Sequence, residues 1–450
     1  MKMKNLAGLA VALMALTLTG SLMAQSAAQE HKKTERRSED IATLEQQSRD
    51  AYAAGDWVRF YVANIKLNKQ RPYEPEYMAN IVRACGRLDR KSAAYNYMLI
   101  MQKQGLQYDF NAFEDTLPIR NTEAYSYIND LLIRAGDPAG AAETFARVSV
   151  PARSIQALGW DSTRERLLAG TAQGALVSIG GDGSVEPLRV AGTDDGLGSI
   201  NGLVVDAEHG RLWLATTAST GEASRSALVE MDLKSLDILH RYEPSSGTAG
   251  HDLGNLALSQ DGYVYVIDRA TNTVYQKTPD NEALFAFVTS SDLHNLRDIA
   301  VTPENSRIFV ADRYKGVWVI DPVAEQTAML TGEHEISLGR VEGLEYQSGE
   351  LYLLQSGIAP DRLVRLQLDS SGAHANNIRP VASGLPEFSG PGALTLNGTS
   401  FWFVANHADE EAGEALVMTA STDTGRDSTS KELQKAQDKF LPKSPESETP

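Results

Sequence analysis

Residues 199–217 read SINGLVVDAEHGRLWLATT, and this stretch decides the fold. An apolar run begins at Leu203, a polar turn spans 207–210, and a second run carries Trp213 at its centre. Side chains alternate between the two faces of a strand, so two such runs joined by a short turn predict an antiparallel hairpin. Asn201 stands just before the hairpin, where it could either bind a ligand or simply start the strand.

The same pattern recurs along the chain. The central position of the second run, called the anchor here, is filled six times, by Leu168, Trp213, Tyr265, Phe309, Tyr352 and Trp402. Successive anchors lie 45, 52, 44, 43 and 50 residues apart. Each copy adds a third alternating run, and most add a fourth. Four antiparallel strands per repeat, repeated six times, predict a six-bladed β-propeller over residues 149–421.

The last copy lacks a fourth strand. It ends at about Ser421, and only the polar tail 422–450 follows, whose composition predicts disorder. A ring without an exposed sheet edge needs that missing strand. The segment ARVSVPA at 146–152 is apolar and alternating, and we expect it to close the ring as the outermost strand of blade six.

Residues 38–148 show a helical pattern instead, with apolar and small residues three and four apart. Turn signals divide the pattern into three helical hairpins, predicted as 39–54 with 56–69, 74–85 with 91–104, and 122–135 with 138–147. These hairpins resemble tetratricopeptide repeats, and that resemblance implies a peptide-binding groove. A helical cap packed on the next domain is an equally good interpretation. The predicted fold class is therefore multidomain, an all-α domain followed by an all-β propeller.

The first 28 residues predict a signal peptide. Lys2 and Lys4 precede the apolar run 6–18, and small residues follow at 24–28. The apolar run is short for a membrane span. We therefore expect a periplasmic or secreted protein with no stable membrane span after cleavage. Cys85 is the only cysteine, so no disulfide can form within the chain.

The charge balance limits the classes of partner. Lysine and arginine total 42 against 59 acidic residues, which gives a formal net charge of -17. This balance argues against a nucleic-acid-binding surface. We expect a protein or peptide partner in the cell envelope.

Candidate site residues come from equivalent positions in the repeats. Residues entering the first strand and leaving the second strand of a hairpin lie near the same rim of the channel. The polar residues at these positions are Asn201, Arg297, Glu342, Asp268 and Asp312. The structural alternative is that each aspartate stabilises a turn and that Arg297 pairs with Glu342 on the next blade.

The stretches INGLVVDAEHGRLWLATT, VEGLEYQSGELYLL and IAVTPENSRIFVADR resemble the propellers of the senescence-marker-protein/gluconolactonase/strictosidine-synthase-like superfamily, and also NHL-repeat propellers. In the gluconolactonase branch one Glu, two Asn and one Asp hold a divalent cation that activates water. The resemblance implies that Asn201 and Glu342 are two of those ligands. Gly254 and Arg297 depart from the pattern.

Three functions remain open from the sequence. The first is a non-catalytic scaffold that binds a protein or ligand through a helical surface and a propeller surface. The second is a metal-dependent lactonase or ester hydrolase that uses a divalent cation such as calcium at Asn201 and Glu342. The third is a small-ligand sensor in which Arg297 binds an anion.

Overall fold

The computed structural model describes residues 40–190, 197–219, 224–245, 250–332, 336–409 and 413–423. The predicted signal peptide and nearly all of the predicted disordered tail lie outside these residues. The chain divides into two compact units. Of the described residues, the first unit holds those up to Pro72, Glu76–Tyr97 and Phe113–Asn121, and the second holds Tyr73–Pro75, Met98–Ala112 and everything from Thr122 onward.

Five α-helices occupy the N-terminal part of the described chain: α1 Asp40–Ala53, α2 Trp57–Gln70, α3 Pro75–Arg87, α4 Lys91–Lys103 and α5 Glu123–Arg134. The side chain of Asp56 caps α2 by accepting the N–H of Arg59, and Thr122 caps α5 in the same way through Tyr125. Helices α1 and α2 pack against each other as the first predicted hairpin. Among the described helices, none is long and apolar enough to cross a membrane.

A buried carboxylate organises the helical unit. Asp115, which lies in the 3₁₀ turn Glu114–Ile119, is 3% exposed and accepts hydrogen bonds from Arg83 Nε at 2.9 Å and Arg87 Nε at 2.7 Å. Burial alone would raise the pKa of Asp115, but these two arginines outweigh burial and lower the pKa. Gly86 lets the turn approach α3, because a Cβ there would lie 2.2 Å from the carbonyl oxygen of Asp115.

Six sheets form the propeller, one per blade, and their strands pair antiparallel except for β19, which pairs parallel with β23. The first four blades are built from consecutive strands. Blade one contains β3 Ile155–Asp161, β4 Arg166–Thr171, β5 Leu176–Ile179 and β6 Val185–Arg189. Blade two contains β7 Ser199–Asp206, β8 Arg211–Ser219, β9 Ser224–Asp232 and β10 Ile238–Tyr242. Blade three contains β11 Leu253–Leu258, β12 Val264–Asp268, β13 Thr273–Lys277 and β14 Phe285–Thr289.

The last two blades recruit strands from elsewhere in the chain. Blade four contains β15 Leu296–Val301, β16 Ile308–Asp312, β17 Gly316–Asp321 and β18 Gln326–Met329. Blade five contains β20 Val341–Gln347, β21 Glu350–Gln355, β22 Arg362–Leu368 and β23 His374–Ser383, extended by β1 Ala139–Gly140 and β19 Thr331–Gly332. Blade six contains β24 Gly392–Asn397, β25 Ser400–Val404, β26 Ala415–Ser421 and, on its outer edge, β2 Glu143–Val148.

The hydrophobic cores lie between neighbouring blades. Leu168 of blade one packs with Leu203 and Leu214 of blade two, and Trp213 of blade two packs with Tyr275 of blade three. All six predicted anchors are buried. A single sheet cannot bury both of its faces, so burial of the anchors depends on the stacking of blades.

The prediction that the segment at 146–152 supplies the outermost strand of blade six is confirmed for its first three residues only, since the closing strand spans Glu143–Val148. Strand β2 pairs antiparallel with β26, with Ala146 opposite Val417 and Val148 opposite Ala415. The prediction of a helix over 138–147 is wrong, because this segment forms strands β1 and β2. Its alanines favour a helix, but the open edges of blades five and six need backbone partners, and that tertiary requirement overrides local propensity. The predicted helical domain 38–148 therefore contains propeller strands at its end.

A buried arginine joins the end of α4 to blade five inside the second unit. Arg362 is 4% exposed, and its Nη1 donates to the carbonyl oxygens of Gln104 at 2.9 Å and Gly105 at 3.1 Å. Its Nε donates to Gln355 Oε1 at 2.7 Å. Burial lowers the pKa of Arg362 to about 10. The guanidinium thus satisfies carbonyl groups that the end of a helix leaves without partners.

Candidate functional site

Every blade carries an irregularity where its first strand enters the channel. The ladder between first and second strands shifts register there, with one more residue on the first strand than on the second. In four blades the extra residue is Gln156, Asn201, Arg297 or Glu342. A β-bulge redirects a side chain and is common beside functional sites. Three of the five sequence-predicted site residues are therefore bulge residues.

The same rim of the channel also receives the ends of the second strands. Leu253 lies opposite Asp268, Leu296 opposite Asp312, and Val341 opposite Gln355. The five candidates therefore all lie at this rim, which we call the channel mouth. The structure does not gather all five around one point, however: it brings Arg297 and Glu342 together, while Asn201, Asp268 and Asp312 each have separate contacts.

Asn201 joins blade two to blade three. Its Nδ2 donates to the carbonyl oxygen of Leu253 at 2.8 Å and to Thr217 Oγ1 at 3.1 Å, while its Oδ1 accepts the hydroxyl of Ser199 at 3.0 Å. Asn201 is 5% exposed. Both ends of the amide are thus engaged within the protein.

Asp268 and Asp312 stabilise turns. Asp268 Oδ1 accepts the N–H groups of Asp252 and Ala270, and Asp312 accepts those of His294 and Tyr314. Both side chains are fully buried. This is the structural arrangement that the sequence offered as the alternative for the two aspartates.

A histidine that the sequence reasoning did not identify contacts Asp268. His251 Nδ1 lies 2.6 Å from Asp268 Oδ2. Burial would raise the pKa of Asp268, but the hydrogen bonds from His251 and from backbone N–H groups lower it. His251 precedes its strand in a loop, where the repeat has no anchor position to align it.

Arg297 and Glu342 form the ion pair that the sequence offered as an alternative. Arg297 Nε lies 3.7 Å from Glu342 Oε2, and Arg313 makes a closer contact with Glu342 Oε1. The Glu342 side chain is 20% exposed and the Arg297 side chain 33% exposed. Sequence reasoning missed Arg313, which follows the end of β16 directly.

Two more arginines surround this pair. Arg269 forms two hydrogen bonds of 3.0 Å with the Asp252 carboxylate, and Arg340 pairs with Glu74. Burial and the positive charge of Arg269 lower the pKa of Arg297. Burial and the charges of Arg340 and Arg297 lower the pKa of Arg313. The mouth beside blades three to five is therefore a region of mutually repelling guanidinium groups.

Below the mouth, the first strands enclose a cavity of about 300 Å³. Two carboxyl groups outside the set of sequence-predicted site residues, Asp298 and Glu345, line this cavity. Asp298 accepts the N–H groups of Ile299 at 2.8 Å and Leu344 at 2.7 Å, and Glu345 accepts the N–H of Leu396 at 3.1 Å. The innermost strands are sheet edges, and these carboxyls supply acceptors to N–H groups that would otherwise lack partners.

The surroundings of both carboxyls favour the neutral form. Burial raises the pKa of Asp298 to about 7. Burial and the neighbouring Asp298 raise the pKa of Glu345 well above its usual range. An acidic residue at an inward position of an apolar first strand is the signal that would have identified the two groups from sequence.

The mouth does not fit the divalent cation that the family resemblance implies. Glu342 already faces two guanidinium groups, and the Oδ1 of Asn201 accepts a hydrogen bond from Ser199. Arg297 brings a positive charge to an equivalent position. Within the described ranges, no group of three or more His, Cys, Asp or Glu residues could hold a metal ion.

No protein-family profile matches the chain, and no curated protein sequence matches it. Many solved structures match part of the chain. One is a provisionally assigned oxidoreductase (glucose dehydrogenase) from Thermus thermophilus, at 14% identity and TM-score 0.43, covering 62% of this chain and 99% of the other. A virginiamycin B lyase from Staphylococcus aureus matches at 10% identity and TM-score 0.43, covering 63% and 99%.

A provisionally assigned gluconolactonase matches at 13% identity and TM-score 0.45, covering 64% of this chain and 93% of the other. At such identities and TM-scores these likenesses assign no chemistry to this chain.

Proposed function

We propose that this chain is a binding protein that takes an anionic ligand at the channel mouth of its propeller, without catalysis of its own. The observation that carries the proposal is the convergence of Arg269, Arg297, Arg313 and Arg340 on blades three to five. Partly buried guanidinium groups that repel one another are stabilised by an added negative charge. Arginine also offers the planar pair of donors that suits oxyanions.

Calorimetric titration of the intact protein with citrate and phosphate, at constant ionic strength, tests this function. Arg297→Gln should weaken binding about tenfold or more, because a charge-assisted hydrogen bond is worth about 1.5–3 kcal/mol. Lys234→Gln is the matched control, since Lys234 is an exposed cation in a turn of blade two. Equal binding by Arg297→Gln and the wild type would contradict the proposal.

The proposal includes export to the cell envelope and a second surface for a protein or peptide partner. Helix α2 exposes Val58 and Val62, at 54% and 45%. The two side chains are four residues apart and lie on the same face of the helix, and exposed apolar side chains so placed are suited to a protein contact. Val58→Glu with Val62→Glu should abolish partner capture from an envelope extract without changing citrate binding. Capture that is unaffected would leave the helices without a binding role.

The metal-dependent lactonase or ester hydrolase is the alternative, with Asn201 and Glu342 as ligands of calcium. A thermal-shift titration with calcium separates it from the binding function. Saturable stabilisation by calcium that Glu342→Gln removes would favour the hydrolase. Stabilisation by citrate but not by calcium would favour the binding protein.

A further inference from the structure

We propose that the ligand of the mouth is a carboxylate-bearing molecule that binds between Arg297 and Arg313. The Glu342 carboxylate occupies this position when no ligand is bound. This inference rests on the proposed function and names the class of anion. It is separate from the cavity below the mouth and from its two carboxyl groups.

Glu342 reaches from its own blade into the neighbouring blade, as a bound carboxylate ligand would. It is the bulge residue of blade five, and its side chain reaches arginines of blade four. Arg313 contacts one carboxylate oxygen and Arg297 faces the other. A carboxylate held between two guanidinium groups is how arginine pairs recognise carboxylate ligands.

The pairing is incomplete on the Arg297 side. The 3.7 Å between Arg297 Nε and Glu342 Oε2 is too long for a hydrogen bond. The Nε atom is buried and has no hydrogen-bond acceptor among the described residues. A buried donor without an acceptor costs free energy, and a ligand carboxylate free of the bulge backbone could sit closer to Arg297 and recover it.

The neighbouring arginines indicate the shape of the anion. Arg269 holds Asp252 through two parallel hydrogen bonds, and Arg340 holds Glu74. Each of these pairs is a guanidinium with a planar carboxylate. The region is thus built for planar, two-oxygen acceptors, and a carboxylate suits it better than a spherical ion.

The Glu342 side chain can also move away from Arg297 and Arg313. Its side chain is partly exposed at the mouth, and it has three rotatable bonds between backbone and carboxylate. Two carboxylates between the same arginines would repel each other, so an incoming carboxylate displaces Glu342 toward solvent. The affinity for the ligand is therefore reduced by competition with Glu342.

Chemical rescue tests the inference. Glu342→Ala should lower the melting temperature, because Arg297 and Arg313 lose their shared counter-charge. Sodium acetate should then raise the melting temperature in a saturable way, and sodium chloride at the same ionic strength should raise it much less. In the wild type the acetate effect should be several-fold weaker. Glu350→Ala is the matched control, since Glu350 faces Arg365 and Tyr352 of blade five.

Glu342→Gln covers the case in which the alanine variant does not fold. It keeps the size of the side chain and removes the charge, so it should bind acetate more tightly than the wild type. Equal shifts with acetate and chloride in both variants would overturn the inference. If citrate binding to the wild type still depended on Arg297, the proposed function would survive that result. If no anion bound through Arg297, the function itself would fail.

Discussion

Asp298 of blade four accepts the backbone N–H of Leu344 of blade five across the wall of the channel, at 2.7 Å. The same carboxyl accepts the N–H of Ile299 within its own strand. One side chain therefore joins two blades at their innermost edges, where it lines the cavity.

This relationship predicts a specific pH dependence. The unfolded chain loses the Asp298 proton near its ordinary pKa of 3.8, whereas the folded chain keeps it to about pH 7. Between these values the folded state binds more protons, so rising pH removes stability, by at most about 1.4 kcal/mol per unit. Asp298→Asn has no carboxyl group to ionise at this position, so it does not lose stability in this way. Urea unfolding measures the free energy of unfolding of both proteins at pH 5 and pH 7.5. The value for Asp298→Asn should rise relative to the value for the wild type as the pH rises.

Asp232→Asn is the control for that experiment. Asp232 is the last residue of β9, its side chain is 37% exposed, and its pKa is lowered, first by the hydrogen bond from the Ser235 backbone. Its contribution to stability is present above the ordinary pKa and is lost as the pH falls. The control should therefore show no gain between pH 5 and pH 7.5. A parallel response of the two variants would contradict the role given to Asp298.

Asn201→Ala should destabilise the propeller by about 1–3 kcal/mol, because the buried carbonyl of Leu253 loses its donor. Citrate binding should stay close to that of the wild type, since Asn201 approaches the arginine cluster only through Asp252, whose Oδ1 lies 3.4 Å from Asn201 Nδ2. Denaturant unfolding and calorimetry measure the two effects. A stable variant with impaired ligand binding would return Asn201 to the list of ligand-binding residues.

Arg362→Lys should cost about 1–3 kcal/mol, because an ammonium group cannot reproduce the fork that reaches Gln104, Gly105 and Gln355. Hydrogen exchange should rise in residues 104–107, where the Gln107 N–H donates to Ala359. Arg365→Lys, on the same strand, is the control and should leave that exchange unchanged. If hydrogen exchange of residues 104–107 were the same in Arg362→Lys and Arg365→Lys, Arg362 would have no local role in holding this segment.

Ala146→Glu should disrupt the pairing of β2 with β26, which closes the ring. Ala146 is 3% exposed and packs in a core with Trp402 and Leu158, so a charge there is unpaired and buried. Hydrogen exchange of Ala415–Ser421 should increase strongly. Thr144→Glu, at an exposed position of the same strand, should leave exchange near wild type. Protection of Ala415–Ser421 in both variants would mean that β2 does not hold the ring closed.

The propeller could be predicted because its signal is repeated. Six anchors and six turns constrain one another, so a weak pattern at Leu168 is supported by strong ones at Trp213 and Trp402. The closing strand could be predicted for a related reason, because a ring with one strand missing has an open edge.

Local sequence could not predict the strands that take the place of the expected helix over 138–147, nor most of the contacts at the mouth. Ala139–Gly140 reaches the edge of blade five only because Gly140 has a positive φ and no Cβ, which would lie 1.9 Å from the Val381 carbonyl oxygen. The partners of Arg313, Arg340 and His251 depend on loops that the repeat does not constrain. Asp298 and Glu345 show their importance only once the first strands are known to line a channel.

The pairing of β2 with β26 also fixes an order of events during synthesis. Strand β2 is made before any complete blade exists, and its partner is nearly the last segment of the propeller to be made. Pairings between segments so distant in sequence close slowly. Until Ala415–Ser421 has been made, β2 has no partner strand. A chain that ended before this segment would therefore lack the β2–β26 pairing, which ties the start of blade one to blade six.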